Sequence, residues 1–164
     1  ALQRVRQESM GYIFQNVFLM PALTAGENVG IALEIKEDRD RDRDRELELL
    51  TLVGMDDYVD RLPAAMSGGQ RQRVGIARAL AGDPRIILAD EPTASLDTKN
   101  ALSVMKLLKD LAAEQGLAII CVTHDVRLYE YADRVLGLVN GKVREKHLRP
   151  RTRGRARAKK GAGS

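Results

Sequence analysis

Three groups of residues have the types and spacing for chemistry on a phosphate. The first is Asp90-Glu91, two acids directly after the apolar run Ile86–Ala89. A carboxylate at the end of a buried strand can hold Mg2+, mostly through its water shell, while substrate phosphates supply other ligands. The adjacent acid points elsewhere and can polarise an attacking water as general base. The plainer alternative is that such a pair merely caps a loop or helix. The second group centres on His124, in "VTHD" at the end of the apolar run "LAIICV". At the end of a neighbouring strand its imidazole could donate a hydrogen bond to a transferring phosphoryl group. Taken alone it is an ordinary polar residue of a loop.

The third group is Ser67-Gly68-Gly69, directly before "QRQRVGIARAL". A helix N-terminus offers unsatisfied N–H groups and a partial positive charge, so it attracts phosphate. Glycine lets that backbone approach an anion, and a serine adds a hydroxyl donor. Ser67 by itself suffices to cap a helix. Each glycine weakens a helix by about 1 kcal/mol, so the second one is expected to answer to a ligand.

The elements that must position these groups can be read around them. "GYIF" is a short run of β-formers, and "IILAD" and "LAIICV" read as buried strands of a parallel sheet. Between them Asp97 can cap a helix whose apolar positions are Leu102, Val104, Met105, Leu107, Leu108 and Leu111, closed by Gly116. After Gly69, Val74, Ile76, Ala77, Leu80 and Ala81 form an apolar helix face, with Arg71, Arg73 and Arg78 polar. Thr24 and Glu27 have capping-box spacing for a further helix. "KEDRDRDRDRELELL" reads as a solvated helix start or a loop, and a short helix follows near Arg127–Tyr131. Asn140-Gly141 predicts a type I′ hairpin turn. Strand–helix–strand order with buried strands predicts an α/β fold with a mostly parallel sheet. Ligands of such sheets bind beyond the carboxyl ends of the strands, which is where Asp90-Glu91 and Thr123-His124 would lie side by side.

Composition sets the bounds. At 164 residues the chain has room for one domain with a real core, and no run approaches the length of a membrane span. One cysteine, Cys121, excludes an internal disulfide and reads as a small core residue, not a nucleophile. The formal charge of +4 comes from residues 149–164, which hold seven basic side chains and no acids. The remainder is net acidic, so the basic balance does not indicate a nucleic-acid-binding domain. The tail reads as a disordered extension, with binding to anionic lipid or nucleic acid as the alternative.

In order and spacing, "MSGGQ" with "RQRVGIARAL", then "IILADEPT", "SLD" and "VTHD", resemble the ATP-binding subunit of ABC transporters. Met66–Gln70 matches the family signature LSGGQ with Met for Leu. Ile86–Glu91 matches the Walker B strand and catalytic glutamate, Ser95-Leu96-Asp97 the D-loop, and His124 the switch histidine. "YIFQ" supplies Gln15 as the Q-loop glutamine. The resemblance runs from residue 12 to about 147, and "FLMPALTAGENV" is most similar to the lipoprotein-releasing and macrolide-export branch.

The resemblance implies a P-loop NTPase-like fold over residues 1–148. A helical signature subdomain would occupy about 22–82, the Walker B, D-loop and H-loop core 83–148, and the basic tail 149–164. It implies ATP and Mg2+, with Glu91, His124 and Gln15 catalytic and Asp90 and Gln15 at the metal. Ser67, Gly68, Gly69, Gln70 and Asp97 would contact nucleotide across a head-to-tail dimer, each ATP being sandwiched between two copies. The other implied partner is a transmembrane permease, which places the subunit on the cytoplasmic face of the membrane, with no nucleic acid partner.

The phosphate loop G-x-x-x-x-G-K-[ST] occurs nowhere in the 164 residues. That loop carries most of the grip on ATP, so these residues alone are expected to be inactive, as a fragment of a longer chain. Two other readings stand beside the transporter subunit. One is a DNA-repair or chromosome-maintenance ATPase, in which a long coiled coil separates Q-loop from signature, whereas Gln15 and Ser67 are 52 positions apart. The other is a non-catalytic remnant.

Overall fold

The computed structural model describes residues 9–37 and 42–146. The basic tail, its proposed binding roles and the middle of the charge run lie outside these residues.

In the body up to Tyr131, three strands form a parallel sheet in the order β1 (Met10–Ile13), β2 (Ile86–Asp90), β3 (Ala118–Val122). Ile13 sits opposite Ala89, and Asp90 opposite Val122. Among the described residues four α-helices accompany it: α1 (Ala25–Glu37), α2 (Arg43–Leu52), α3 (Gly68–Leu80) and α4 (Thr98–Gln115). Their starts follow local chemistry. Thr24 and Glu27 form the expected capping box on α1, with bonds of 2.8 and 3.3 Å. Asp42 caps α2 and Asp97 caps α4. Gly116 ends α4 in the left-handed conformation at φ 65°, which costs glycine little.

The core joins the apolar faces of all four helices to one face of the sheet. Val29, Leu33, Leu49, Leu50, Val74, Ile76, Val104 and Leu108 are buried with Ile13 and Ile87. Leu102 and Leu107 of α4 are only partly buried. The sheet departs from the sequence expectation in one respect. Its strands are buried on one face, not both: Tyr12, Ile120 and Val122 project from the other face and are exposed. Residues alternate sides along a strand, so a helical layer on one side buries only every second residue. The segment expected as a short helix is a 3-10 turn, Val126–Tyr131.

A separate unit begins after Tyr131. Its described part is the expected hairpin, β4 (Val135–Val139) antiparallel to β5 (Lys142–Lys146). Asn140 and Gly141 both have positive φ, 49° and 73°, as a type I′ turn requires. Arg134 pairs with Glu145 across it at 2.9 Å.

Candidate functional site

Parallel pairing of β2 with β3 brings Asp90-Glu91 beside Thr123-His124 at the carboxyl edge. Glu91 leaves its strand with φ 44°, a conformation rare for a residue bearing Cβ. Its N–H donates to the Val122 carbonyl at 2.9 Å, so the turn is pinned to the neighbouring strand. The turn aims its carboxylate at the next loop. Glu91 Oε1 accepts the His124 main-chain N–H at 3.1 Å and meets His124 Nδ1 at 2.7 Å. Oε2 has no partner among the described residues. Four-fifths of the His124 side chain is exposed, against one-fifth for Glu91. The hydrogen bond that Glu91 accepts and then its negative charge raise the His124 pKa above its ordinary value.

Asp90 and Gln15 suit a hard cation that keeps much of its water. Both side chains are exposed and make no hydrogen bond or ion pair among the described residues. Gln15 follows β1 just beyond the residue opposite Ala89, at the same sheet edge. Among the described residues, no three of His, Cys, Asp and Glu gather into a protein cage. Two oxygen ligands at an open edge are instead the sparse donor set that Mg2+ uses alongside phosphate.

Ser67 caps α3 in a reciprocal box. The Gln70 N–H donates to Ser67 Oγ at 3.2 Å, and the Ser67 N–H donates to Gln70 Oε1 at 2.8 Å. Gln70 is thus spent on the cap, while Gly68 and Gly69 hold the first two helical positions, whose N–H groups lack intrahelical acceptors. The expectation for the second glycine needs correction. A Cβ at Gly69 would lie 2.8 Å from Asn100 Oδ1 and 3.0 Å from its Cγ, so a side chain there requires the Asn100 side chain on α4 to shift. At Gly68 the nearest atom, Leu96 Cδ2, is 3.4 Å away. The bare, less crowded position is therefore Gly68.

Asn100 also holds Asp97. Its N–H donates to Asp97 Oδ1 at 3.0 Å and its Nδ2 to Oδ2 at 2.5 Å, which lowers the Asp97 pKa. Across the next loop, Arg127 pairs with Asp125 at 2.6 Å, holding that carboxyl down to about 2, and donates to Thr98 Oγ1 at 3.1 Å. Cys121 lies on the helix-covered face, half-buried, with burial first and the charges of Glu91 and Asp90 next pushing its thiol up to about 11. That is a packing residue, as the sequence suggests.

A cleft of about 310 Å³ connects two of these parts, for Gln15, Asn16, Val17, Gly68 and Gln72 all line it. The sequence reading passed over Asn100 and Gln72 here and took Arg78 only as a polar residue of its helix. Gln72 is 1% exposed, and neither amide atom has a partner among the described residues. Arg78 reads as a polar-face residue but lies half-buried. Gln72 stands one turn before Ile76 and Arg78 one turn after Val74, and only these places beside buried positions of α3 could have marked the two.

Residues 2–94 match the family model for the ABC transporter. The chain is 42% identical over 156 residues to the ABC transporter ATP-binding protein MJ0796 of Methanocaldococcus jannaschii, covering 90% of this chain and 66% of that one. It is 42% identical over 139 residues to the lipoprotein-releasing system ATP-binding protein LolD of Shewanella oneidensis, covering 84% and 60%. To the macrolide export ATP-binding/permease protein MacB 2 of Aeromonas hydrophila it is 45% identical over 146 residues, 88% of this chain and 22% of the relative. A solved structure of the MJ0796 cassette, dimeric and bound to ADP and Pi, superposes with a TM-score of 0.76 at 42% identity, over 90% of this chain and 66% of that one. The chain thus spans about two thirds or less of the relatives it matches. On the family match, the cassette fold and the signature-to-switch order of its residues, this chain belongs to the ABC transporter ATP-binding family.

Proposed function

We propose that these residues form the catalytic and partner-facing part of an ATP-hydrolysing transporter subunit of the lipoprotein-releasing and macrolide-export type. The observation that carries this reading is the Glu91–His124 pair, a carboxylate held by the neighbouring strand's loop with one oxygen still open. Glu91 Oε2 would take a proton from the attacking water. The water oxygen then bonds to the γ-phosphorus as the bond to the ADP oxygen breaks. A protonated His124, with Nδ1 engaged by Glu91, still carries a proton at Nε2 to donate to a phosphoryl oxygen. Asp90 and Gln15 would hold Mg2+, whose charge offsets that of the phosphate oxygens.

Gly68 and Ser67 would reach a γ-phosphate held by a second copy, and Asp97 would face that copy too. The dimeric, ADP- and Pi-bound MJ0796 cassette supports pairing of two copies, and the ATP-binding/permease make-up of MacB 2 supports a permease partner. No helix among the described residues is long and apolar enough to cross a membrane. We place the subunit on the cytoplasmic face, attached through such a permease. The phosphate-loop motif does not occur in these 164 residues, and on this reading they would not turn ATP over alone.

The test is Glu91→Gln in the full chain. Loss of the general base should lower hydrolysis by about 10²–10⁴-fold while nucleotide stays bound. Near-normal turnover would move the base elsewhere.

A further inference from the structure

Arg78 is a cation that no carboxylate pairs among the described residues, yet burial is deep enough to lower its pKa. Its guanidinium instead donates from one nitrogen to the Phe18 carbonyl at 3.0 Å and from the other to the Val17 carbonyl at 3.2 Å. Two more features lock the same stretch. Val17 sits against Gly75, where a Cβ would come within 2.4 Å of its Cγ1. Phe18 adopts φ 23°, which a side chain resists unless its surroundings impose it. A planar fork of donors suits two successive carbonyls far better than an ammonium would.

We infer that Arg78 is a positioning residue that clamps the segment after Gln15 to the back of α3. Gln15 then moves with the helix whose first turn carries Ser67 and Gly68. The purpose assigned to the clamp rests on the reading above, in which Gln15 holds Mg2+. Any shift of α3 against the sheet, such as docking of a second copy at its N-terminus, is carried to Gln15 through Val17 and Phe18. Gln15 would approach the metal edge only when α3 is seated.

The clamp itself can be tested by proteolysis of the chain. Arg78 holds the carbonyl of Phe18, which is the bond chymotrypsin would cut. Arg78→Met keeps the stem and removes both donors. It should speed cleavage after Phe18 by about tenfold or more, with cleavage after Tyr58 and Tyr129 unchanged, because only a local opening becomes easier. Arg78→Lys should fall between the two. Leu108→Ala, a core truncation in α4, is the control that speeds every site together. Unchanged cleavage after Phe18, or a parallel rise at all sites, would overturn the clamp.

Its purpose has a second readout in the full chain with its partner copy. Arg78→Met should raise the Mg2+ concentration for half-maximal ATP hydrolysis several-fold at unchanged KM for ATP, and should add nothing in a Gln15→Ala background. An additive effect would overturn the positioning role. Absence of hydrolysis by the unmutated protein would overturn the ATPase reading and that purpose, while cleavage after Phe18 decides the clamp separately.

Discussion

Glu91 and His124 are joined twice, since the main-chain N–H and Nδ1 of the histidine both meet Glu91 Oε1, at 3.1 and 2.7 Å. One oxygen therefore fixes both the backbone and the ring of the loop after β3. The arrangement makes the site's electrostatics depend on pH in a defined direction.

His124 has its pKa raised in the folded protein, with the Glu91 hydrogen bond as the leading cause. Its ordinary value is about 6.5. The stabilisation is therefore full below that value and is lost as pH rises through the elevated folded value. Proton NMR of the imidazole should show this histidine titrating above the ordinary value, and Glu91→Gln should bring it back down. The second histidine, His147, can be removed to make the assignment unambiguous. A titration indifferent to Glu91→Gln would dissolve the pair.

Gly69→Ala should destabilise the fold by about 1–3 kcal/mol, the usual cost of forcing an atom into a packed contact. The mechanism is the 2.8 Å approach to Asn100 Oδ1. Alanine's better helix propensity offsets up to about 1 kcal/mol of that. Asn100→Ala should remove most of the penalty, which a double-mutant cycle in urea would measure. Gly68→Ala should leave stability nearly unchanged, its nearest neighbour being 3.4 Å away, and should instead weaken nucleotide-dependent pairing of two copies. A large stability loss at Gly68 and none at Gly69 would reverse the assignment.

Much of this was legible in the chain because it follows local rules. Thr24, Ser67 and Asp97 stand where caps are needed, and all three make cap bonds. Asn140-Gly141 specifies its turn with two neighbouring residues. The meeting of Glu91 with His124 follows from strand order, a property of the fold class. What escaped depends on contacts distant along the chain. The need for a bare Cα at Gly69 is set by Asn100, and Arg78 is claimed by carbonyls 60 and 61 positions away. Periodicity put Arg78 on the polar face and said nothing of the partners of either residue. The one-sided burial of β3 was hidden for a related reason. "AIICV" is apolar at every position, so it carries no alternation to tell the covered face from the open one.

Ser67→Ala should cost about 0.5–2 kcal/mol, because the Gln70 N–H loses its acceptor at the start of α3. Gln70 alone would then hold the Ser67 main-chain N–H, half of the original box. Thermal unfolding of Ser67→Ala and Ser67→Thr should show a clear loss for the first and near-retention for the second. The same pair separates stability from nucleotide chemistry, since threonine keeps the hydroxyl donor but adds a methyl group at the proposed interface. Equal stability of both variants would mean that the cap contributes nothing.

Cys121 offers a probe of whether the edge of β3 is packed as described. Its thiol is pushed up to about 11, by burial and by the charges of Glu91 and Asp90. A thiol free in an unfolded chain titrates near 8.5. Only the thiolate attacks an alkylating reagent, so at pH 8 the native protein should react on the order of a hundredfold more slowly than the chain in denaturant. The Cys121 rate should climb as pH rises through about 11, with no plateau near the ordinary value. Glu91→Gln removes one of the two nearby charges but none of the burial, so it should recover only a small part of the lost reactivity. Rapid labelling of the native protein at pH 8 would show that the helix-covered face around Ile119 and Cys121 opens readily, and that the positions of Glu91 and His124 at its end are loosely held.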